Sequence, residues 1–277
     1  MHFSILCQLA LAALAIATPY PSNHPHVSRA PQPATPPAPP PPKQSPARAQ
    51  NAALAPAFIM AGDSTVGKSK GCGDGFLKTL INGATGVNLG RNGATTDSFM
   101  SGGDWTKVID EVKKKKGSYI PYVTFQFGHN DQKKVPIEKF MANLKTMAQE
   151  IIAAGGIPVA VTSIARRKYA SGTIKPDLAP QVAAALQVAQ ELGIAFIDLN
   201  AESTKYLNSI TEAEARTYDY AEGDSTHLNP QAALLFGTMT SQLILKSQVG
   251  DAVKAFLSPD PAIAAAIDSG TYMLPPA

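Results

Sequence analysis

Cysteine is nearly absent from this 277-residue chain, with two in all. Cys7 lies in an N-terminal apolar run, which leaves Cys72 alone. No intramolecular disulfide then braces the remainder, and no cysteine-based zinc site can form. Cys72 reads as a free thiol, at the surface or partly buried, since no cysteine-protease pattern surrounds it. Excess charge is lacking too: 24 basic residues face 21 acidic ones. The whole excess of +3 lies in Arg29, Lys43 and Arg48, ahead of the first acidic residue. The chain after Arg48 is balanced and carries no electrostatic footprint for nucleic acid. The single basic run, Lys113 to Lys116, closes an expected helix, where cations complement the dipole. After residue 17 no apolar run is long enough to cross a bilayer, so no membrane partner is expected.

What is present divides the chain. Residues 1–17 are apolar and end in Ala15-Ile16-Ala17, a small-x-small cleavage pattern, and read as a signal peptide for a secreted, extracellular protein. Residues 18–50 are rich in proline (Pro36-Pro37, Pro39 to Pro42) and read as an extended, disordered linker that buries too little surface to fold. Residues 51–258 have the size of one α/β domain, and residues 259–277 are set apart as a C-terminal tail.

Within the domain, five consecutive apolar residues, Ala57 to Ala61, run into Gly62-Asp63-Ser64. The run is too short for a helix and reads as a fully buried strand, the kind found in parallel sheets. A loop with four glycines comes next, between Gly67 and Gly75, read as mobile, then a short helix over Phe76–Ile81. Further strands are expected at Val87–Leu89, Tyr122–Phe127, Pro158–Thr162 and Ile194–Leu199. Helices are expected at Trp105–Lys115, Ile137–Ala154, Leu178–Leu192, Glu202–Ile210 and Asn229–Lys246. This alternation argues for a single parallel sheet between two helical layers.

Ligands bind beyond the carboxyl ends of such strands, and there Ser64 is either a nucleophile or a helix N-cap. A serine nucleophile needs a base that can take and return a proton near neutral pH, for which imidazole is suited. The domain offers His129 and His227. Asp224 stands three residues before His227, so its carboxylate can reach Nδ1 and fix the tautomer; the competing view is a turn with a surface histidine. At the tip of the third strand, Asn130 is either a turn residue or an amide aimed at a developing oxyanion. Gly93, at the tip of the second, can bring its N–H close because no Cβ intervenes.

Gly62-Asp63-Ser64, Gly93, Gly128-x-Asn130-Asp131 and Asp224-x-x-His227 stand in the order of the four blocks of GDSL-type, or SGNH, hydrolases, which the chain resembles over essentially the whole domain. Phe127-Gly128-His129-Asn130-Asp131 and Asp224-Ser225-Thr226-His227-Leu228-Asn229 resemble the rhamnogalacturonan acetylesterase branch. The resemblance implies an α/β fold, flavodoxin-like, three-layer α/β/α with a five-stranded parallel sheet. It also implies a serine esterase that removes O-acetyl groups from plant cell-wall polysaccharide such as acetylated rhamnogalacturonan. On the matching positions Ser64, Asp224 and His227 are catalytic, and Ser64, Gly93 and Asn130 form the oxyanion hole. No cofactor and no metal are implied, and a monomer is expected. His129 is assigned to substrate binding, with orientation of its own loop as the alternative. Arg166 and Arg167 are candidates for a galacturonate carboxylate, set against ordinary surface ion pairing. Xylan acetyl or lipid acyl esters, and a non-catalytic wall-binding protein, are the competing functions.

Overall fold

The computed structural model describes residues Leu54–Pro276; the signal-like run (1–17) and the proline-rich linker (18–50) lie outside the described residues. Its strands are β1 (Pro56–Gly62), β2 (Thr85–Asn88), β3 (Ile120–Gln126), β4 (Ile157–Val161), β5 (Tyr169–Ala170), β6 (Thr173–Ile174) and β7 (Ala195–Ile197). Five of them form one sheet in the order β2-β1-β3-β4-β7, with every neighbouring pair parallel. That is the flavodoxin-like order. The remaining two, β5 and β6, make a small antiparallel hairpin.

Strand β1 is buried along its full length, and its side chains alternate between two cores as a pleated strand requires. Phe58 and Met60 enter the core shared with helices Gly73–Leu77, Leu199–Ser209 and Pro230–Lys246. Ile59 and Ala61 enter the other, with Asp104–Lys115, Ile137–Ala154 and Ala179–Leu192. Phe58 meets Phe76 edge-on at 5.1 Å and stacks on Tyr122 at 5.5 Å, so its truncation to alanine costs about 3–5 kcal/mol.

The long elements lie close to where hydrophobic periodicity puts them. The short first helix instead covers Gly73–Leu77, beginning inside the glycine loop and ending before Ile81. Short helices that periodicity does not reveal stand at Thr96–Ser101, Glu212–Arg216 and Pro261–Ser269. Each starts at a polar cap: Thr95, Thr211 and Asp260 accept hydrogen bonds from their first-turn amides, the usual way to satisfy those donors. The domain also does not end at Ser258. Ile263, Ala266 and Ile267 of the last helix are buried, and both isoleucines join the first core, so the segment set apart as a tail is packed structure.

The order of the strands locates a site. The chain leaves β1 to one side for β2 and returns to the other side for β3, so a crevice opens beyond their carboxyl ends. Gly62 and Gln126 are paired in register at that edge, and the loops carrying Ser64 and Asn130 leave the sheet side by side.

Candidate active site

The turn after β1 is fixed from within. Thr65 donates its amide at 2.8 Å and its hydroxyl at 2.7 Å to Asp63 Oδ1, and the amides of Val66 and Gly67 donate to the Asp63 carbonyl. Gln126 Nε2, from the end of β3, donates to Thr65 Oγ1 at 2.9 Å. Burial outweighs the two bonds from Thr65 and pushes the Asp63 carboxyl up to about 6; removal from water penalises the charged form more than the two donors repay. The glycine loop read as mobile is packed on this turn. A Cβ at Gly71 would lie 2.4 Å from the Thr65 carbonyl oxygen, so only glycine fits. Cys72 beside it is wholly buried, not partly exposed, and burial raises its thiol to about 11. It is inert as a nucleophile.

Ser64 is 6% exposed. Its Oγ lies 2.9 Å from His227 Nε2, and His227 Nδ1 lies 2.8 Å from Asp224 Oδ2. With Nδ1–H donating to the carboxylate, Nε2 is left as the acceptor for the serine hydroxyl, a tautomer assigned from its partners. Asp224 Oδ1 also accepts the amides of Thr226 at 3.1 Å and His227 at 3.0 Å. Partial burial raises this carboxyl, but those amides and the imidazole together hold it below the usual carboxylate range. It stays ionised opposite the ring.

The Asp224–His227 loop has no strand to hold it, and Arg167 does so from outside. This guanidinium is 0% exposed. Its Nε donates to Asp219 Oδ1 at 2.6 Å, and its NH2 donates to the carbonyls of Asp224 at 3.0 Å and His227 at 2.5 Å. The Arg167 amide donates to the Ser225 carbonyl at 2.8 Å. Arg166, one residue earlier, donates to the His129 carbonyl at 3.1 Å. Both arginines are buried and paired, Arg167 with Asp219 at 2.6 Å and Arg166 with Asp177 at 3.9 Å, rather than lying out on the surface as their charge alone suggests.

The loops after β2 and β3 are tied to each other. Asn130 Nδ2 donates to the Ala94 carbonyl at 3.0 Å, leaving its second N–H for another acceptor. Asp131 Oδ1 accepts both the amide and hydroxyl of Thr96, at 2.8 and 2.7 Å. Gly93 takes φ +73° and a Cβ there would meet open space. Glycine is therefore needed for the left-handed turn, not for closeness of approach as the sequence suggests. The Gly93 loop also anchors to the Ser64 turn, since the Arg91 amide donates to the Gly62 carbonyl at 2.9 Å.

His129 departs from its expected role. It is 3% exposed, with Nε2 donating to the Ile164 carbonyl at 3.0 Å. Burial, and then the Arg166 charge, push its imidazole down to about 3. It joins the β3 loop to the segment after β4 and offers no face to substrate, so the orienting role is the one its surroundings support. Sequence reasoning missed Asp131, Thr96 and the arginine pair as supports, because their partners lie 35 to 60 residues away. No group of three or more metal-ligating side chains occurs among the described residues.

Residues 59–234 match the model of the GDSL-like Lipase/Acylhydrolase family. Rhamnogalacturonan acetylesterase RhgT of Bacillus subtilis (strain 168) is 29% identical over 199 residues, covering 64% of this chain and 84% of that protein. Among solved structures, protein YXIM of Bacillus subtilis superposes with a TM-score of 0.61 at 21% identity over 70% of this chain, which spans 57% of that chain's length. A catalytic mutant of Axe2, an acetylxylan esterase from Geobacillus stearothermophilus, gives a TM-score of 0.52 at 16% identity, covering 70% of this chain and 94% of that one. At those identities the two solved structures speak to the fold alone.

Proposed function

From the premise that this chain belongs to the GDSL-like lipase/acylhydrolase family and is a carboxylic ester hydrolase, we propose that it removes O-acetyl groups from a plant cell-wall polysaccharide, acetylated rhamnogalacturonan first among them. The observation that carries this reading is the hydrogen-bonded line from Asp224 through His227 to Ser64 Oγ, at 2.8 and 2.9 Å, at the carboxyl edge of the sheet. The likeness to a rhamnogalacturonan acetylesterase supports the choice of polymer.

In this reading Ser64 Oγ attacks the acetyl carbonyl carbon while His227 Nε2 takes its proton, and Asp224 steadies the resulting imidazolium. The negative oxygen of the tetrahedral intermediate is held by the N–H groups of Ser64 and Gly93 and the free N–H of Asn130. Collapse expels the sugar hydroxyl, which leaves with the proton from His227. Water, deprotonated by the same imidazole, then attacks the acetyl-enzyme and releases acetate and Ser64. Residues 1–17 are the basis for proposing that the enzyme is secreted, and N-terminal sequencing of protein from culture medium tests their removal.

The deciding experiment compares acetate release from acetylated rhamnogalacturonan and acetylated xylan with hydrolysis of long-chain p-nitrophenyl esters, using Ser64→Ala as control. Release from the pectic polymer that vanishes in the variant is the expected result. Preference for the long chain removes the polysaccharide, and binding without release in the parent leaves a wall-binding protein.

A further inference from the structure

Beside the nucleophile turn lies a cleft of about 550 Å³, lined in part by Lys68, Arg91, Asp104 and Lys107. Its size is that of an ordinary ligand site. Its place is set by the backbone: Arg91 is tied to Gly62, two residues before Ser64, by the bond already described, and Lys68 is four residues after Ser64. At Ser69 the chain takes φ +67°, and the lysines on either side of it part company. Lys70 lies over the Tyr220 ring at 4.6 Å, close to the His227 loop, while Lys68 lines the cleft.

The charge of the cleft is one-sided. Asp104 is its single acidic lining residue, shared between Arg91 Nε at 2.5 Å and Lys107 Nζ at 2.8 Å. Lys68 has no ion-pair partner among the described residues, and three cations therefore face one carboxylate. The Lys107 side chain is 67% exposed, so its ammonium is accessible from solvent. Away from the N-terminal segment the chain is electrically balanced, which makes a local excess beside the Ser64 turn a feature of placement and not of composition. A recess lined by one sign of charge concentrates the field and attracts the opposite charge.

We propose that this cleft holds a uronate carboxylate of the polysaccharide, next to the sugar whose acetyl group meets Ser64. The proposal rests on the polysaccharide-acetylesterase reading and narrows it: the preferred chain is acidic, not a neutral xylan. The two exposed lysines recognise the carboxylate as point charges, while Arg91 keeps its bonds to Asp104 and to Ser98 Oγ and shapes the floor. Because the contact is remote from the reacting carbon, it is made equally in ground and transition states and acts through KM.

The test is the double variant Lys68→Gln, Lys107→Gln. The readout is the ratio of kcat/KM on an acetylated rhamnogalacturonan oligosaccharide to that on neutral acetylated xylo-oligosaccharide. That ratio should fall about tenfold at low ionic strength, and the gap from the parent should close in about 0.5 M salt, as expected for exposed ion pairs. A ratio within about twofold of the parent, or a fall that salt leaves untouched, overturns the proposal. A second arm does not depend on turnover: binding of unacetylated oligogalacturonate to the Ser64→Ala protein, with and without the two glutamines. Salt-sensitive binding weakened by the glutamines supports the cleft, and absent or unaltered binding overturns it. Should the parent release no acetate from either polymer, the esterase reading fails separately while this arm still reports on the cleft.

Discussion

The two halves of the relay are built differently. Ser64 stands on a turn that its own strand makes: β1 is buried throughout, Asp63 holds Thr65, and Gly71 lets the next loop close over it. His227 stands on a half-exposed loop that no sheet strand enters, and its position depends on Arg167, sixty residues away in sequence. The Ser64 side is thus supported by local chemistry and core packing, and the His227 side by a buried guanidinium with three partners together with a few backbone bonds from Tyr220, Lys70 and Arg167. A local support fails only when the fold does. A distant one can be removed by a single substitution elsewhere.

Substitutions can push this contrast to its limits. Ser64→Ala is expected to lower kcat by at least about 10⁴-fold while leaving the urea midpoint within error, because the turn is held by its neighbours. A variant that keeps its activity would remove Ser64 as nucleophile. Arg167→Met should hurt both properties. It leaves the buried Asp219 carboxylate with Arg216 at 3.6 Å and takes a donor from the carbonyls of Asp224 and His227, which costs about 3 kcal/mol of stability, and kcat falls as the loop loosens. Arg167→Lys restores the charge without the fork and should recover part of the stability but less of the kcat; equal recovery of both would show that the loop holds itself. Asn130→Ala is expected to reduce kcat by about 10²-fold with KM little changed, and a change confined to KM would place its amide on the ground state instead.

The smallest effect is on pH dependence of stability, measured as urea unfolding between about pH 4 and 7. The Asp63 carboxyl, near 6 when folded against 3.8 ordinarily, holds its proton longer in the folded chain. Its contribution is therefore greatest below about pH 4 and is lost as pH rises through about 6. His129, near 3 against 6.5 ordinarily, acts in the opposite sense: its contribution is full above 6.5 and is lost as pH falls towards 3. Between about pH 4 and 6 the two slopes oppose each other. Asp63→Asn should make stability rise more steeply with pH there, by up to about 1.4 kcal/mol per pH unit. His129→Gln removes the rising contribution and should tilt the same curve the other way, so that stability falls more, relative to the parent, as pH rises. No change in slope in either variant would show that neither group titrates as described.

The same contrast explains what could be read from the amino-acid order. Buried strands announce themselves as apolar runs, and β1, β3 and the long helices fall close to their expected spans. Ser64, Asp224 and His227 could be paired because their chemistry needs few residue types and two of them are three positions apart. Support from a distance left no such trace. Arg166 and Arg167 look like surface charges until the loops they hold are folded over them, and His129 looks like a ligand until the segment after β4 covers it. The basic cleft was hidden for a related reason: Lys68, Arg91 and Lys107 lie far apart along a chain whose total charge says nothing.

The last stretch of chain has a consequence for anyone shortening this protein. Tyr218 Oη donates to the Met273 carbonyl at 2.7 Å, and Tyr206 Oη to that of Thr271 at 3.2 Å. Tyr218 directly precedes Asp219, whose carboxylate grips Arg167. Trimming at Ser258, where composition alone would put the scissors, thus strips two isoleucines from the first core and unfastens a line of bonds that runs to the His227 carbonyl, so a clipped enzyme would lose stability and rate together.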